Sequence, residues 1–211
     1  MPPRAILFDH DGTLVDSYPG IALCMRLTCR DLGKPEMTDE EVSASIGPTL
    51  EDRFTELWGG ETAREAARIY RAHYAVHFLS GTRLLDGVKC TLEALEARGV
   101  PMACVTNKSW NYCVRQLEHF GLHERMKVVY GNLQGFPPKP DPAMALAALE
   151  VLGVPPEEAV LVGDTAIDVR TAHAAGVQAW VVPSEYTSIE SIERAKPHKI
   201  LKNFKKILQY I

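Results

Sequence analysis

The sequence has no surplus of positive charge. Lysine and arginine number 23 against 27 aspartates and glutamates, a formal net charge of −4. Binding a nucleic-acid backbone needs a dense set of cations, so this balance argues against a nucleic-acid partner. Long apolar runs are missing too. No stretch reaches the roughly 20 residues that a helix needs to span a bilayer, and no membrane partner is expected. The opening "MPPRAILFDHDG" does not follow the plan of a secretion signal, because acidic residues interrupt its apolar segment at once. Cysteine is sparse. There are five (Cys24, Cys29, Cys90, Cys104 and Cys113), an odd number with no Cys-x-x-Cys pair. They read as small hydrophobes in a reducing compartment, so a cytoplasmic location is expected. Neither Gly-x-Gly-x-x-Gly nor Gly-x-x-x-x-Gly-Lys-Ser/Thr occurs, which removes the dinucleotide and P-loop classes. "DHDGTLVD" starts like a calcium loop, but its glycine stands at loop position four instead of six.

What is present fits an α/β protein. The 211 residues, 46% apolar and 24% charged, suit one domain, or one domain with an insertion. Five short β-rich runs recur: 5–9, 101–107, 127–131, 159–164 and 179–182. Each is apolar on both faces, as in a buried parallel sheet. Helical patterns separate the last four and also precede "PMACVTN". Gly99, Gly121, Gly153 and Gly176 stand where helices should stop. This alternation predicts a doubly wound parallel sheet. Residues 16–82 break the rhythm. They hold no convincing strand but carry capping-box patterns, Thr38 with Glu41 and Thr62 with Glu65. They are expected to form a helical insertion, leaving 1–15 and 83–211 as the core. The tail "ILKNFKKILQYI" reads as a short strand or turn followed by an amphipathic helix.

The first run, "AILFDHDGTLVDS", ends in two carboxylates. Ligands of open α/β sheets bind beyond the carboxyl ends of the strands, and Asp9 stands at such an end. Strand alternation lets Asp9 and Asp11 point one way and His10 the other. "AVLVGD" also ends in an acid, Asp164, with Asp168 one helical turn later. Two carboxylates about 4 Å apart repel by roughly 4 kcal/mol at an effective dielectric near 20. Four such charges call for a divalent cation, and all-oxygen ligands favour Mg²⁺. Thr106 and Asn107 end another apolar run just before a helix, where free N–H groups can seat an anion.

These residues resemble the haloacid dehalogenase-like superfamily of phosphotransferases. Four motifs match in order: "DHDGT" (Asp9 to Thr13), "TN" (Thr106, Asn107), the lysine of "PPKPDP" (Lys139) and "GDTAID" (Gly163 to Asp168). The resemblance implies a Rossmann-like core with a helical cap after the first motif. It implies Asp9 as nucleophile, forming an aspartyl-phosphate, and Asp11 as general acid and base. Mg²⁺ would be held by Asp9, Asp164 and the backbone carbonyl of Asp11, with Asp168 supporting its shell. Thr106, Asn107 and Lys139 would hold the phosphoryl group. An acid at Asp11 and a threonine at Thr13 match the phosphatase version of the motif.

Within the insertion, "SASIGPTLEDRF" resembles loops that hang over the active site in capped relatives. Ile46, Gly47, Pro48 and Thr49 are therefore candidate substrate contacts, with Arg53 as a candidate anion contact. His73 and His77 share a helix face and lack the glutamate of a metalloprotease motif. The expected activity is Mg²⁺-dependent hydrolysis of a small phosphomonoester of the phosphoglycolate type, by a monomer or homodimer. A sugar phosphomutase and a non-catalytic phospho-ligand binder are the alternatives. The first needs a second cationic grip in the cap, and the second has no need of a nucleophile.

Overall fold

The computed structural model describes residues 2–211. In chain order the regular elements begin with β1 (Ala5–Phe8) and β2 (Val15–Asp16). Four helices follow: α1 (Tyr18–Asp31), α2 (Asp39–Ser43), α3 (Leu50–Trp58) and α4 (Gly60–His77). Next come β3 (Arg83–Leu84), α5 (Val88–Ala97), β4 (Met102–Ser109), α6 (Trp110–His119) and β5 (Val128–Asn132). The chain ends with α7 (Ala143–Leu152), β6 (Ala159–Gly163), α8 (Ala166–Ala175), β7 (Gln178–Val181), α9 (Ile189–Ala195) and β8 (Lys199–Ile200).

Six strands make one parallel sheet in the order β5-β4-β1-β6-β7-β8. The order reverses at β1: the chain builds outward through β4 and β5, then crosses back to β6. A doubly wound sheet opens its crevice at that reversal, at the carboxyl ends of β1, β4 and β6. All five expected strands are present. β1 and β6 are buried throughout, which explains their continuous apolar runs.

Alternation sorts the strand side chains between two cores. Ile6, Phe8, Met102 and Cys104 join one core with α5 and α6. Ala5, Leu7, Ala103 and Val105 join the other with α7, α8 and α9. Continued past Phe8, this register sends Asp9 to the α7–α8 side and His10 to the α5–α6 side.

Helices α1–α4 build a third cluster around Phe54, Tyr70 and Tyr74. At its root, β2 and β3 pair antiparallel, Val15 with Leu84 and Asp16 with Arg83. This two-residue ribbon stands where the chain leaves the core and returns, and such short strands leave no periodic trace in sequence. Thr38 and Glu41 form the expected capping box on α2. Thr62 and Glu65 do not. The Gly59–Gly60 pair lets α4 begin earlier, Thr62 falls in its first turn, and Glu65 pairs with Arg68. Thr49 is the side-chain cap of α3 instead, accepting from Asp52 N. The tail forms β8 and then a 3-10 helix, Phe204–Gln209, rather than an α-helix. Phe204 and Ile207 lie three apart, the spacing that stacks side chains in 3-10 geometry, and both are buried. No helix of the described residues is long and apolar enough to cross a membrane.

Arg53, expected as an anion contact, is placed differently. Its buried guanidinium donates to Ser45 Oγ at 3.0 Å, the Glu41 carbonyl at 3.1 Å and Glu56 Oε2 at 2.8 Å. All three nitrogens are used inside the insertion, where they fasten the end of α2 to α3. Arg53→Met should therefore lower stability by about 1–3 kcal/mol, the cost of a buried acceptor left unpaired. Urea unfolding would show the loss, with KM for any substrate little changed.

Candidate active site

The carboxyl ends of β1, β4 and β6 meet under the insertion, and residues at the ends of β1, β4 and β5 line a cavity of about 210 Å³ there. Asp9 follows β1, Thr106 lies near the end of β4, and Asp164 follows β6. Each carboxylate stands at a strand end because the strand before it is fixed by apolar burial on both faces.

Three of the four expected acids cluster tightly. One carboxylate oxygen from each of Asp9, Asp164 and Asp168 lies within 4.8 Å of the others, and all three residues are buried. Gly12 and Gly163 make room for this trio. Gly12 adopts φ +77°, and a Cβ there would overlap Asp164 Oδ2. A Cβ on Gly163 would overlap the Asp168 carboxyl. Thr165 and Asp168 form a reciprocal capping box at the start of α8, which fixes Asp168 Oδ2.

Lys139 is the cation inside the trio. Its Nζ donates to Asp168 Oδ1 at 2.6 Å and lies 2.8 Å from Asp9 Oδ1, where the approach is an ion pair without hydrogen-bond geometry. These carboxylates hold the ammonium above its ordinary pKa despite burial. Lys139, together with the hydrogen bonds that Thr165 donates to Asp168, holds Asp168 below the usual carboxylate range, although burial opposes the charge. No such partner reaches Asp164. Both its oxygens are buried without a hydrogen bond, and burial, Asp168 and Asp9 push its carboxyl well up. Asp9 is raised as well, by burial first. Two unpartnered carboxylate oxygens facing two further carboxylates fit a hard divalent cation, the donor chemistry expected for Mg²⁺.

Asp11 lies apart from the trio. Lys108 Nζ donates to its two oxygens at 2.9 and 3.0 Å, and the Ser17 hydroxyl donates to Oδ1. Burial, the largest single influence, opposes ionisation here, but Lys108, His10 and Ser17 together hold Asp11 below the usual range. Lys108 also donates to the Tyr74 hydroxyl at 2.7 Å, so it joins the core rim to the helical insertion. Sequence reasoning missed Lys108, Ser17 and the polar end of Tyr74. Lys108 directly follows the "TN" motif, and that adjacency was the available signal.

The phosphoryl candidates divide by role. Thr106 is buried, and its Oγ1 accepts from Lys108 N at 3.2 Å. The Asn107 amide nitrogen donates to the Lys139 carbonyl at 3.0 Å and to the Gly47 carbonyl at 2.8 Å. Its oxygen accepts from Lys139 N at 2.7 Å. Asn107 therefore aligns Lys139 and ties it to the loop of the insertion. Ile46, Gly47 and Pro48 line the cavity, whereas Thr49 turns to cap α3 and Arg53 turns inward.

A protein-family model described as haloacid dehalogenase-like hydrolase matches residues 6–182. The chain belongs to that family. It is 34% identical to a phosphoglycolate phosphatase of Thiobacillus denitrificans, covering 88% of this chain and 86% of that protein. It is 31% identical to a phosphoglycolate phosphatase of Aquifex aeolicus, covering 89% and 88%. Among solved structures, a haloacid dehalogenase-like hydrolase from Streptococcus pneumoniae superposes with a TM-score of 0.91 at 26% identity. That superposition covers 99% of this chain and 98% of the other. The chain is thus a phosphoglycolate phosphatase-like hydrolase of this family, and the α/β core with parallel sheet is the fold its relatives share.

The strained charge of the trio has a measurable consequence. A carboxyl held above its ordinary range binds its proton more tightly in the native state than in the unfolded chain. Ionising it as pH rises therefore costs stability. Asp164→Asn should raise the stability of the metal-free protein at neutral pH by on the order of 1 kcal/mol. The gap to wild type should narrow as pH falls and the native carboxyl takes up its proton. Thermal unfolding of both proteins across pH, in chelator, tests this.

Proposed function

We propose that the protein is a Mg²⁺-dependent phosphatase that hydrolyses a small phosphomonoester of the phosphoglycolate type through a phosphorylated Asp9. The observation that carries this reading is the Asp9–Asp164–Asp168 trio with Lys139 beside a separately held Asp11, with Asp9 and Asp11 both lining one cavity. Names of the relatives point the same way.

Asp9 attacks phosphorus, and the bond from phosphorus to the leaving oxygen breaks as Asp11 delivers a proton to that oxygen. Asp11 then takes a proton from water, whose oxygen attacks the phosphorylated Asp9 and releases phosphate. Lys139 and Thr106 hold the phosphoryl oxygens, while Asn107 keeps Lys139 aligned. Mg²⁺ bound by Asp9 and Asp164, with the Asp11 carbonyl and Asp168 in support, would neutralise the charge that builds on the phosphoryl group.

Lys108 accounts for a small anionic leaving group. Its side chain, 5% exposed, lies at the cavity wall and is shared between Asp11 and Tyr74. A carboxylate on the leaving group competes with Asp11 for this ammonium, and a weakened ion pair lets Asp11 hold the proton it must deliver. The phosphomutase alternative needs a second cationic grip in the insertion. Arg71 lines the cavity but is paired with Glu51, and Arg53 is turned away.

Phosphate release from phosphoglycolate should require Mg²⁺ and stop in chelator. Asp9→Asn should abolish it, and Asp11→Asn should lower kcat by about 10²–10⁴-fold. Turnover that survives Asp9→Asn contradicts the phosphorylated intermediate. Lys108→Met should raise KM for phosphoglycolate far more than for p-nitrophenyl phosphate, whose leaving group has no carboxylate. An equal effect on the two substrates would remove Lys108 from leaving-group recognition.

A further inference from the structure

On the other face of β1 lies a second cluster that the phosphatase reading does not use. His10, Cys104 and Cys113 are fully buried, and one ligand atom from each lies within 4.8 Å of the others. The two sulfurs are 3.8 Å apart. Two thiolates that share one ion at a metal–sulfur length of about 2.3 Å stand about 3.8 Å apart for a tetrahedral angle and about 4.0 Å for a trigonal one. A disulfide would need them at about 2.05 Å.

The imidazole is prepared as a donor. Gln116 donates its amide N–H to the Phe78 carbonyl at 2.5 Å, which leaves its Oε1 to accept from His10 Nε2 at 2.8 Å. With the proton on Nε2, neutral His10 keeps its lone pair on Nδ1, a buried atom with no hydrogen-bond partner. An outer amide that fixes the tautomer of an inner histidine is how metal-binding imidazoles are oriented. The two thiols differ. Hydrogen bonding with Cys113, and then the neighbouring His10, pulls the Cys104 thiol down to about 7 against the effect of burial. Burial, and then its hydrogen bond with Cys104, pushes the Cys113 thiol well above its ordinary range, so a bound ion would have to displace its proton.

We propose that His10, Cys104 and Cys113 form a binding site for a thiophilic d10 cation, zinc or cuprous ion. Two thiolates and a neutral imidazole carry two negative charges, so zinc leaves the buried centre neutral and a cuprous ion leaves a single charge. Soft sulfur donors do not suit Mg²⁺, and the oxygen rim on the opposite face does not suit a cuprous ion, so the two faces of one strand end sort different metals. An ion in the cluster joins the Asp9–Asp11 segment to β4 and α6. This site stands independently of the phosphatase reading.

The test is anaerobic titration of the reduced, metal-free protein with Zn²⁺ and, separately, with Cu⁺, each against a chromophoric chelator. The expected result is uptake of one equivalent of at least one ion, with a thiolate-to-metal charge-transfer band. Uptake should vanish in Cys113→Ser and Cys104→Ala and persist in Cys24→Ala, whose thiol lies in the helical insertion. Gln116→Met keeps both thiols and should weaken uptake about 10–100-fold, the usual effect of losing an outer-shell partner. It also serves if either thiol variant fails to fold. Uptake of neither ion, or uptake unaffected by all three variants at the cluster, overturns the proposal.

Discussion

Three carboxylates share one buried corner with a single ammonium, and the rest of the molecule is arranged around that imbalance. Lys139 satisfies Asp168 and touches Asp9, but Asp164 is left with two bare oxygens. Such a grouping persists only because other parts of the fold over-determine it. β1 and β6 are pinned by apolar burial on both faces, the Thr165–Asp168 box fixes the start of α8, and Gly12 and Gly163 remove the atoms that would force the acids apart. The sheet is stable enough to hold charge that would otherwise scatter, and the held charge is what a metal ion and a phosphoryl group can use.

The helical insertion meets the core through aromatic packing, Tyr74 and Phe78 on Tyr112 and Tyr18 on Tyr186, and through a few polar contacts at the site. Tyr74 reaches Lys108, the Gly47 carbonyl meets Asn107, and the Phe78 carbonyl meets Gln116. Each contact links the insertion to a core residue that in turn orients a functional group: Asp11 through Lys108, Lys139 through Asn107, and His10 through Gln116. Closure of the cavity and alignment of its groups are therefore parts of the same set of hydrogen bonds.

Much of this was legible in the sequence. Buried parallel strands announce themselves as short apolar runs, and acids at their ends place the carboxylates in one crevice. The helix-stopping glycines marked the turns. The ribbon of β2 and β3 was invisible because two residues carry no period. The roles inside the insertion were the hardest to read. Arg53 looks like a free cation in "TLEDRF", yet two of its three partners, the Glu41 carbonyl and Ser45, come from a different helix end. Lys108 looks like a solvated lysine beside a motif until Asp11, 97 residues away in sequence, is brought against it. Such pairings depend on tertiary contact, which spacing along the chain does not encode.

Asn107 spends its amide group unevenly. One hydrogen goes to the Gly47 carbonyl across the cleft, while the other hydrogen and the oxygen both stay on the backbone of Lys139. If the loop lifted to admit a molecule, a single bond would part and the clamp on the lysine would hold. The ammonium would keep its station through every opening and closing of the doorway above it.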